Sequence, residues 1–543
     1  MSNLFHLHQA GAALIVVACG LIGCADPFRH DPLTQEAYRA KLQNIEPVTL
    51  ETFTVTEPSE PIPEAPAELE LTLEQCRAWV LADSLDLDVR LLDPTLADLS
   101  VTAAEARFEA VLFGSANYSD TETPTASTLD GSEVQSSRGQ LGVRLPLRTG
   151  GTLTADFVAQ RLDTDNTFST LNPSFDGDAN ISLSQPLLRN AGQRVTEAPI
   201  QIARLDAQAV SARTRVEVIR VLTAIDRAYW QLYQAQQELN VRRQQHELAI
   251  AQLERAERLV EAGAAADVEV IRAQAGVADG LEAIITAENT LRLTQRSIKR
   301  LINQPHLPLN GPTALIAVTP ANPVNYDLDG DRLLDTAMDQ RVELIETELQ
   351  LAQDALNIDV RRNATLPLAS LDYRYTRNGL GGSFNDAFSQ VFEEDFDGHS
   401  IGLRVEVPLG NQAAKSELQR ALLTRVQRLS NRRLQEVQIA QEIANALDTL
   451  TTTWQRILAT RQAVLLEARV LEAEQRQFEL GLVTSTQVLE AQARLADARS
   501  REVSAITAYQ IAQIDLAFAT GTVLGEARIR WEPLGLDSES QKQ

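Results

Sequence analysis

Leu222, Ile225, Tyr229, Leu232 and Leu239 recur at helical spacing. Such a seam predicts a helix that needs a partner helix along one face. The helical pattern runs from about Pro186 to Asn303 and is strongly interrupted only at Gly263, inside RLVEAGAAADVEVIRAQ. A second copy runs from about 409 to 520, with Gly481 inside FELGLVTSTQVLEAQ. A shift of 218 positions superposes Arg258 on Arg476, Glu261 on Glu479, Gly263 on Gly481 and Val270 on Val488. Glycine costs about 1 kcal/mol in a helix interior. Two glycines at matching places therefore predict two chain reversals.

A period of two appears elsewhere. In HSIGLRVEVPL, Ile401, Leu403, Val405 and Val407 alternate with Gly402, Arg404 and Glu406. In LDYRYT, Leu371, Tyr373 and Tyr375 alternate with Asp372, Arg374 and Thr376. VLFGSANYS, QLGVRLPL, GTLTADFVAQ and ANISLSQPL are further short strands between Gly, Ser, Thr, Asp and Asn. Helical segments precede each strand set, at about 71–106, with a break expected near Asp93-Pro94, and at about 332–364. The order helix, strands, long helix, glycine turn, helix thus occurs twice, which marks a tandem duplication.

The boundaries follow. Residues 1–23 form a signal-type segment, 24–70 a Pro/Glu-rich linker and 71–303 a first repeat with strands at about 108–187. Residues 304–330 form a Pro/Asn-rich linker, 331–525 a second repeat with strands at about 366–408, and 526–543 a tail. At 1.5 Å per residue, the long helix from Pro186 to Gly263 spans ~110 Å. The segments 71–106 and 264–302 reach ~54 and ~58 Å, so stacked end to end they match it. The second half repeats the sum at ~108 Å for 409–480 and ~108 Å for 332–364 with 482–520. A compact domain has no room for such columns.

One apolar and one charged strand face suit either a sandwich or a transmembrane barrel with a wet lumen. An exported chain with few strands per half favours the barrel. So few strands do not close a pore alone, so closure requires oligomerisation.

Charge narrows the partners. With 49 Lys+Arg against 74 Asp+Glu, the formal charge is −25 and the pI about 4.7, which excludes the basic surface a nucleic-acid binder needs. Three cysteines are too few for a disulfide scaffold. Cys76, alone in the body of the chain, reads as a small buried apolar residue. GAALIVVACG, Gly11 to Gly20, has signal-peptide length, and Leu21-Ile22-Gly23-Cys24 resembles the lipobox of bacterial lipoproteins. That resemblance implies acylation of Cys24 and an anchor in the inner leaflet of the outer membrane. An ordinary secretory signal is the other reading, because the stretch before the apolar run has no Lys or Arg. No P-loop, G-x-S-x-G, HExxH or dinucleotide fingerprint occurs in a convincing context, so no catalytic, cofactor or metal residue is expected.

Together these residues resemble the TolC-like outer membrane efflux proteins over about 71–525. LTLEQCRAW looks like the family's opening, ISLSQPLLRNAG and LRVEVPLGNQAA like its strand-Pro-helix exits, and Gly263 and Gly481 like its helix-turn-helix tips. The resemblance implies a mainly α protomer with transmembrane β strands. Three copies would build an outer-membrane β-barrel continued by a long periplasmic α-helical barrel. It further implies a passive exit duct of an efflux or type I secretion system. A periplasmic adaptor docks on such a duct, and an inner-membrane pump of RND or ABC type drives it. A pore-less, outer-membrane-anchored coiled-coil lipoprotein is the competing reading.

By the same resemblance Pro186, Pro367 and Pro408 mark strand-helix junctions. Gly263 and Leu480-Gly481-Leu482-Val483 form the adaptor-docking tips, the smaller Ala262-Gly263-Ala264-Ala265 gripping less. Glu269, Gln487 and Glu490 fall at the periplasmic entrance. There a ring of three Glu490 carboxylates would attract cations, unless Glu490 is an ordinary solvated helix charge. Tyr118 to Pro186 spans 68 positions against 35 for Tyr373 to Pro408. The excess contains a hairpin within 130–165, turning at Thr149-Gly150-Gly151, that either widens the barrel to about six strands per chain or projects from it.

Overall fold

The computed structural model describes residues 67–125, 131–393 and 396–526. The signal-type segment, Cys24, the 24–70 linker up to residue 66 and the tail beyond residue 526 lie outside the described residues.

The first repeat opens with strand β1 (Glu68–Leu71) and helices α1 (Leu73–Asp83) and α2 (Leu85–Glu105). Strands β2 (Val111–Glu122), β3 (Glu133–Pro146), β4 (Thr152–Thr164) and β5 (Ser174–Pro186) follow. Next come a one-turn helix α3 (Gln193–Thr196), the long α4 (Ala198–Glu261), α5 (Asp267–Ile302) and strand β6 (Ala314–Ala317). The second repeat runs through α6 (Gly330–Gln340), α7 (Val342–Ala364), β7 (Leu368–Gly381), α8 (Phe384–Glu393) and β8 (Asp397–Glu406). It closes with the long α9 (Gln412–Glu479), α10 (Ser485–Thr520) and the short α11 (Val523–Glu526).

The 64 residues of α4 and 68 of α9 span ~96 and ~102 Å. The α4 seam Leu222, Ile225, Tyr229, Leu232 and Leu239 is buried throughout. Ile225 and Leu232 pack with Val80 of α1 and Ile298 and Ile302 of α5. Burying such a side chain contributes about 1.5–3 kcal/mol, so the seam, rather than helix propensity, holds the long helix in place.

The break expected near Asp93-Pro94 does not occur. Pro94 lies inside α2, and the chain bends instead at Ser84. An interior proline costs about 3 kcal/mol. Leu87 and Leu91, which pack on Val218, Ile219 and Leu222, hold the turns before the proline in helical register. Arg341, between α6 and α7, repeats the Ser84 bend: φ and ψ are −68° and 118° there and −72° and 117° at Ser84. The guanidinium of Arg341 is buried, donating to Glu442 and to the Ala519 carbonyl.

The two linkers also hold structure the sequence pattern did not reveal. β1 and β6 pair in parallel, from Glu68↔Ala314 to Leu71↔Ala317. Buried Tyr229 fastens both to α4, donating to the Leu71 carbonyl at 3.0 Å and accepting from the Thr319 N–H at 2.9 Å. Cys76 sits in this core fully buried, and burial pushes its thiol up to about 12, so it stays protonated and inert.

β2, β3, β4, β5, β7 and β8 form one antiparallel sheet in that order. The β3–β4 hairpin is not an outward projection; it lies in the sheet between β2 and β5. It turns where Gly150 takes φ +93°, a left-handed value that suits glycine. β5 and β7, from different repeats, pair along Phe175↔Gly381 to Pro186↔Ser370. β7 runs on through Gly379 to Gly381, and α8 follows after Gly382-Ser383, a helix that the strand pattern on either side of it did not predict.

Candidate functional site

Both glycine reversals have the same backbone. α4 ends with the Gly263 N–H on the Val260 carbonyl (2.9 Å) and the Ala264 N–H on the Leu259 carbonyl (2.8 Å). α9 ends with the Gly481 N–H on Phe478 (3.0 Å) and the Leu482 N–H on Gln477 (3.0 Å). This is the Schellman pattern, with glycine at the left-handed position, φ +70° and +71°. A Cβ at either glycine would meet nothing within 4 Å, so conformation, not space, requires glycine there.

The side chains around the tips differ from one another in burial. Leu480 and Leu482 are 73% and 72% exposed. Val483 instead packs on a core of Ala256, Ala273, Leu471, Phe478, Val488, Ala491 and Leu495 that joins the two hairpins. Ala262, Gly263 and Ala264 are exposed and small.

Of the three entrance candidates, Glu269 and Gln487 both accept from backbone N–H groups at the start of α10 and so act as helix caps.

 Glu269 accepts from the Ser485 N–H at 2.7 Å, across the hairpins, and pairs with Arg272 at 2.7 Å on its other oxygen. Gln487 closes a capping box, its side-chain oxygen accepting from the Thr484 N–H at 2.9 Å. Glu490 is exposed and lines a groove of about 430 Å³ with Arg272, Asp279 and Gln245. The structure therefore brings Glu269 to the second tip, while Glu490 stands on the surface of α10.

Sequence reading missed the joint itself. Ser485 is fully buried, and its hydroxyl accepts from Gln252 Nε2 at 3.3 Å. Gln492 Nε2 donates to the Leu248 carbonyl at 3.1 Å. No local pattern marks these residues, because each partner lies more than 200 positions away in the chain.

At the other end of the helices, Pro186 ends β5 and Pro367 immediately precedes β7. They meet at one junction, where the Arg189 N–H donates to the Pro367 carbonyl (3.2 Å). Pro408 follows β8, and Asn411 Nδ2 ties the start of α9 to the Thr365 carbonyl at 2.8 Å.

The sheet register sorts side chains onto two faces. Leu145, Leu153, Leu183, Tyr373 and Ile401 form one cross-strand row, and Leu112, Val143, Ala155, Ile181 and Tyr375 form the row two residues on. The opposite face carries Ser115, Gln140, Val158, Asp178 and Asn378 in one row, with Arg144, Thr154, Ser182 and Arg374 in another. Ile401, Leu403 and Val405 are 76%, 66% and 58% exposed, so the apolar face is an uncovered surface along β8. Among the described residues, no cluster of His, Cys, Asp and Glu could hold a metal ion.

Residues 152–304 and 333–522 match the Outer membrane efflux protein family. The matched stretches start at β4, so α1 to β3 lie outside them. Outer membrane protein TolC of Vibrio cholerae is 23% identical over 348 residues, covering 64% of this chain and 76% of that protein. Among solved structures, CusC is similar with a TM-score of 0.61 at 16% identity, over 86% of this chain and 97% of its own. The outer membrane protein VceC from Vibrio cholerae gives 0.60 at 16%, over 83% and 96%. At such identities the structural likeness speaks for the fold, and the family match carries the assignment: the chain belongs to the outer membrane efflux protein family.

Proposed function

We propose that this chain is the outer-membrane exit duct of a tripartite efflux or type I secretion system. It works as a homotrimer, a passive channel joined to a periplasmic adaptor and an inner-membrane pump. The observation that carries this reading is the sheet: six strands, an exposed apolar face, a polar face and two unpaired edges, β2 and β8. Strands of 10 to 14 residues are long enough to cross a bilayer at a tilt. With an even number of strands, β8 of one copy meets β2 of the next antiparallel, so three copies close an eighteen-stranded ring that leaves no edge. The polar face then lines a wet lumen and the apolar face meets lipid.

The helices support the same assembly. Leu85, Val89, Leu92, Leu96 and Leu99 form a seam along α2, all about three-fifths exposed, with the four-three spacing that packs helix on helix. Neighbouring copies supply the cover. The exposed Leu480 and Leu482 form the adaptor contact at the tip. Acylation of Cys24 adds a lipid anchor in the inner leaflet of the outer membrane.

Planar-bilayer recording of the purified chain tests the duct. Stable conductance from heat-modifiable trimers is expected, and deletion of 131–165, which removes β3 and β4, should lower it by narrowing the ring. A water-soluble, electrically silent protein would leave the pore-less coiled-coil lipoprotein instead.

A further inference from the structure

We propose that α8 is a lipid-embedded helix. It lies on the apolar face of the sheet, at the end remote from the long helices, and sinks Phe384, Phe388 and Phe392 among the acyl chains of the surrounding bilayer. The inference rests on the membrane-spanning reading of the sheet and adds a helical segment to its lipid-facing wall.

The sheet is shaped to receive the helix. One cross-strand row of the apolar face is Ala116, Gly139, Ala159, Gly177 and Gly379, with no bulky side chain on five successive strands. The next row toward the long helices is Gly114, Leu141, Phe157, Ala179 and Arg377, and the one after it carries Val143, Ile181 and Tyr375. α8 fills the flat row. A Cβ on Gly379 would come within 2.1 Å of the Ala387 carbonyl oxygen, and one on Gly381 within 2.6 Å of the Asp386 Cβ. Ala387 and Val391, which face this bed, are 1% and 0% exposed. The first turn is fixed by Ser383, whose hydroxyl donates to Asp386 at 2.7 Å. Gln390 Oε1 accepts from the Leu380 N–H at 2.6 Å, tying the middle of the helix to the end of β7.

What remains outward is aromatic. Phe384, Phe388 and Phe392 repeat every four residues and form one stripe beside the buried Ala387 and Val391. Asn385, Asp386, Ser389, Gln390 and Glu393 occupy the opposite arc. The phenylalanines are 49%, 42% and 55% exposed, yet they stack on one another and Phe388 meets Phe157 edge-on at 5.7 Å. The stripe therefore continues the apolar band of the sheet. Phe392 also borders an open groove of about 480 Å³, lined by Leu141, Val143, Phe157, Ile181, Tyr375 and Arg377. An amphipathic helix with its aromatic edge turned toward the band and its charges turned away is suited to a bilayer boundary.

The test uses the full chain in vesicles of phosphatidylcholine with or without bromine on the acyl chains. Phe392→Trp reports on the helix and Tyr375→Trp on the sheet, and the chain's own four tryptophans give the background to subtract. Both reporters should lose at least about half of their fluorescence in brominated vesicles. Quenching of Tyr375→Trp alone would overturn the lipid-embedded helix and leave the spanning sheet standing. If neither is quenched, the helix proposal falls together with the membrane reading. Phe384→Trp gives a second helix reporter, judged by the same outcomes, should Phe392→Trp not assemble.

Discussion

The two tips reverse the chain with the same hydrogen bonds and the same left-handed glycine, yet they show different surfaces. The first exposes Ala262 and Ala264, whereas the second exposes Leu480 and Leu482. Backbone geometry is set by the need to turn a helix, so duplication preserved it. The surrounding side chains carry no such requirement and were free to diverge. On our reading the second tip therefore grips the adaptor and the first mainly completes the turn.

The largest expected effect separates them directly. Covering one leucine contributes about 1.5–3 kcal/mol. Leu480→Asp with Leu482→Asp should thus weaken adaptor binding by about a hundredfold or more, as read by surface-immobilised binding of the purified trimer. Ala262→Asp with Ala264→Asp should cost less than about tenfold on the same scale of buried area. Equal losses at both tips would break the asymmetry.

The next effect tests how the tips are joined. Glu269 bonds a backbone N–H of the other hairpin and is only 13% exposed. Glu269→Ala should destabilise the tips by about 1.5–3 kcal/mol, seen as faster hydrogen exchange at Ser485 and its neighbours. Unchanged exchange would show that the apolar core beneath holds the hairpins without it.

Smaller still, Gly263→Ala and Gly481→Ala should each cost about 1–2 kcal/mol, the strain of a left-handed alanine. The two losses should be equal in chemical denaturation, because the φ angles differ by one degree. The weakest effect concerns Glu490. If three copies ring the entrance, Glu490→Gln should reduce cation preference in reversal-potential measurements while leaving stability unchanged. A constant reversal potential would return Glu490 to the ordinary surface of α10.

A second contrast lies in the strand regions. The first repeat enlarged its share of the sheet with the β3–β4 hairpin, and the second placed α8 on top of it. The hairpin was legible because Thr149-Gly150-Gly151 breaks two alternating runs. The helix was not, because Phe384, Phe388 and Phe392 follow Gly381-Gly382 in a stretch too short for periodicity to separate from a loop.

By itself the sequence determined the duplication, the long helices, the two glycine reversals and the alternating strands. These are local properties: backbone freedom, period and spacing act within a few residues. Only the tertiary structure decided that Glu269 caps a helix 216 residues away, that β1 and β6 pair across the linkers, and that the bend falls at Ser84 rather than Pro94. Each of these depends on which distant surfaces meet, and packing energy between distant segments outweighs the local cost of a proline or the local silence of a serine.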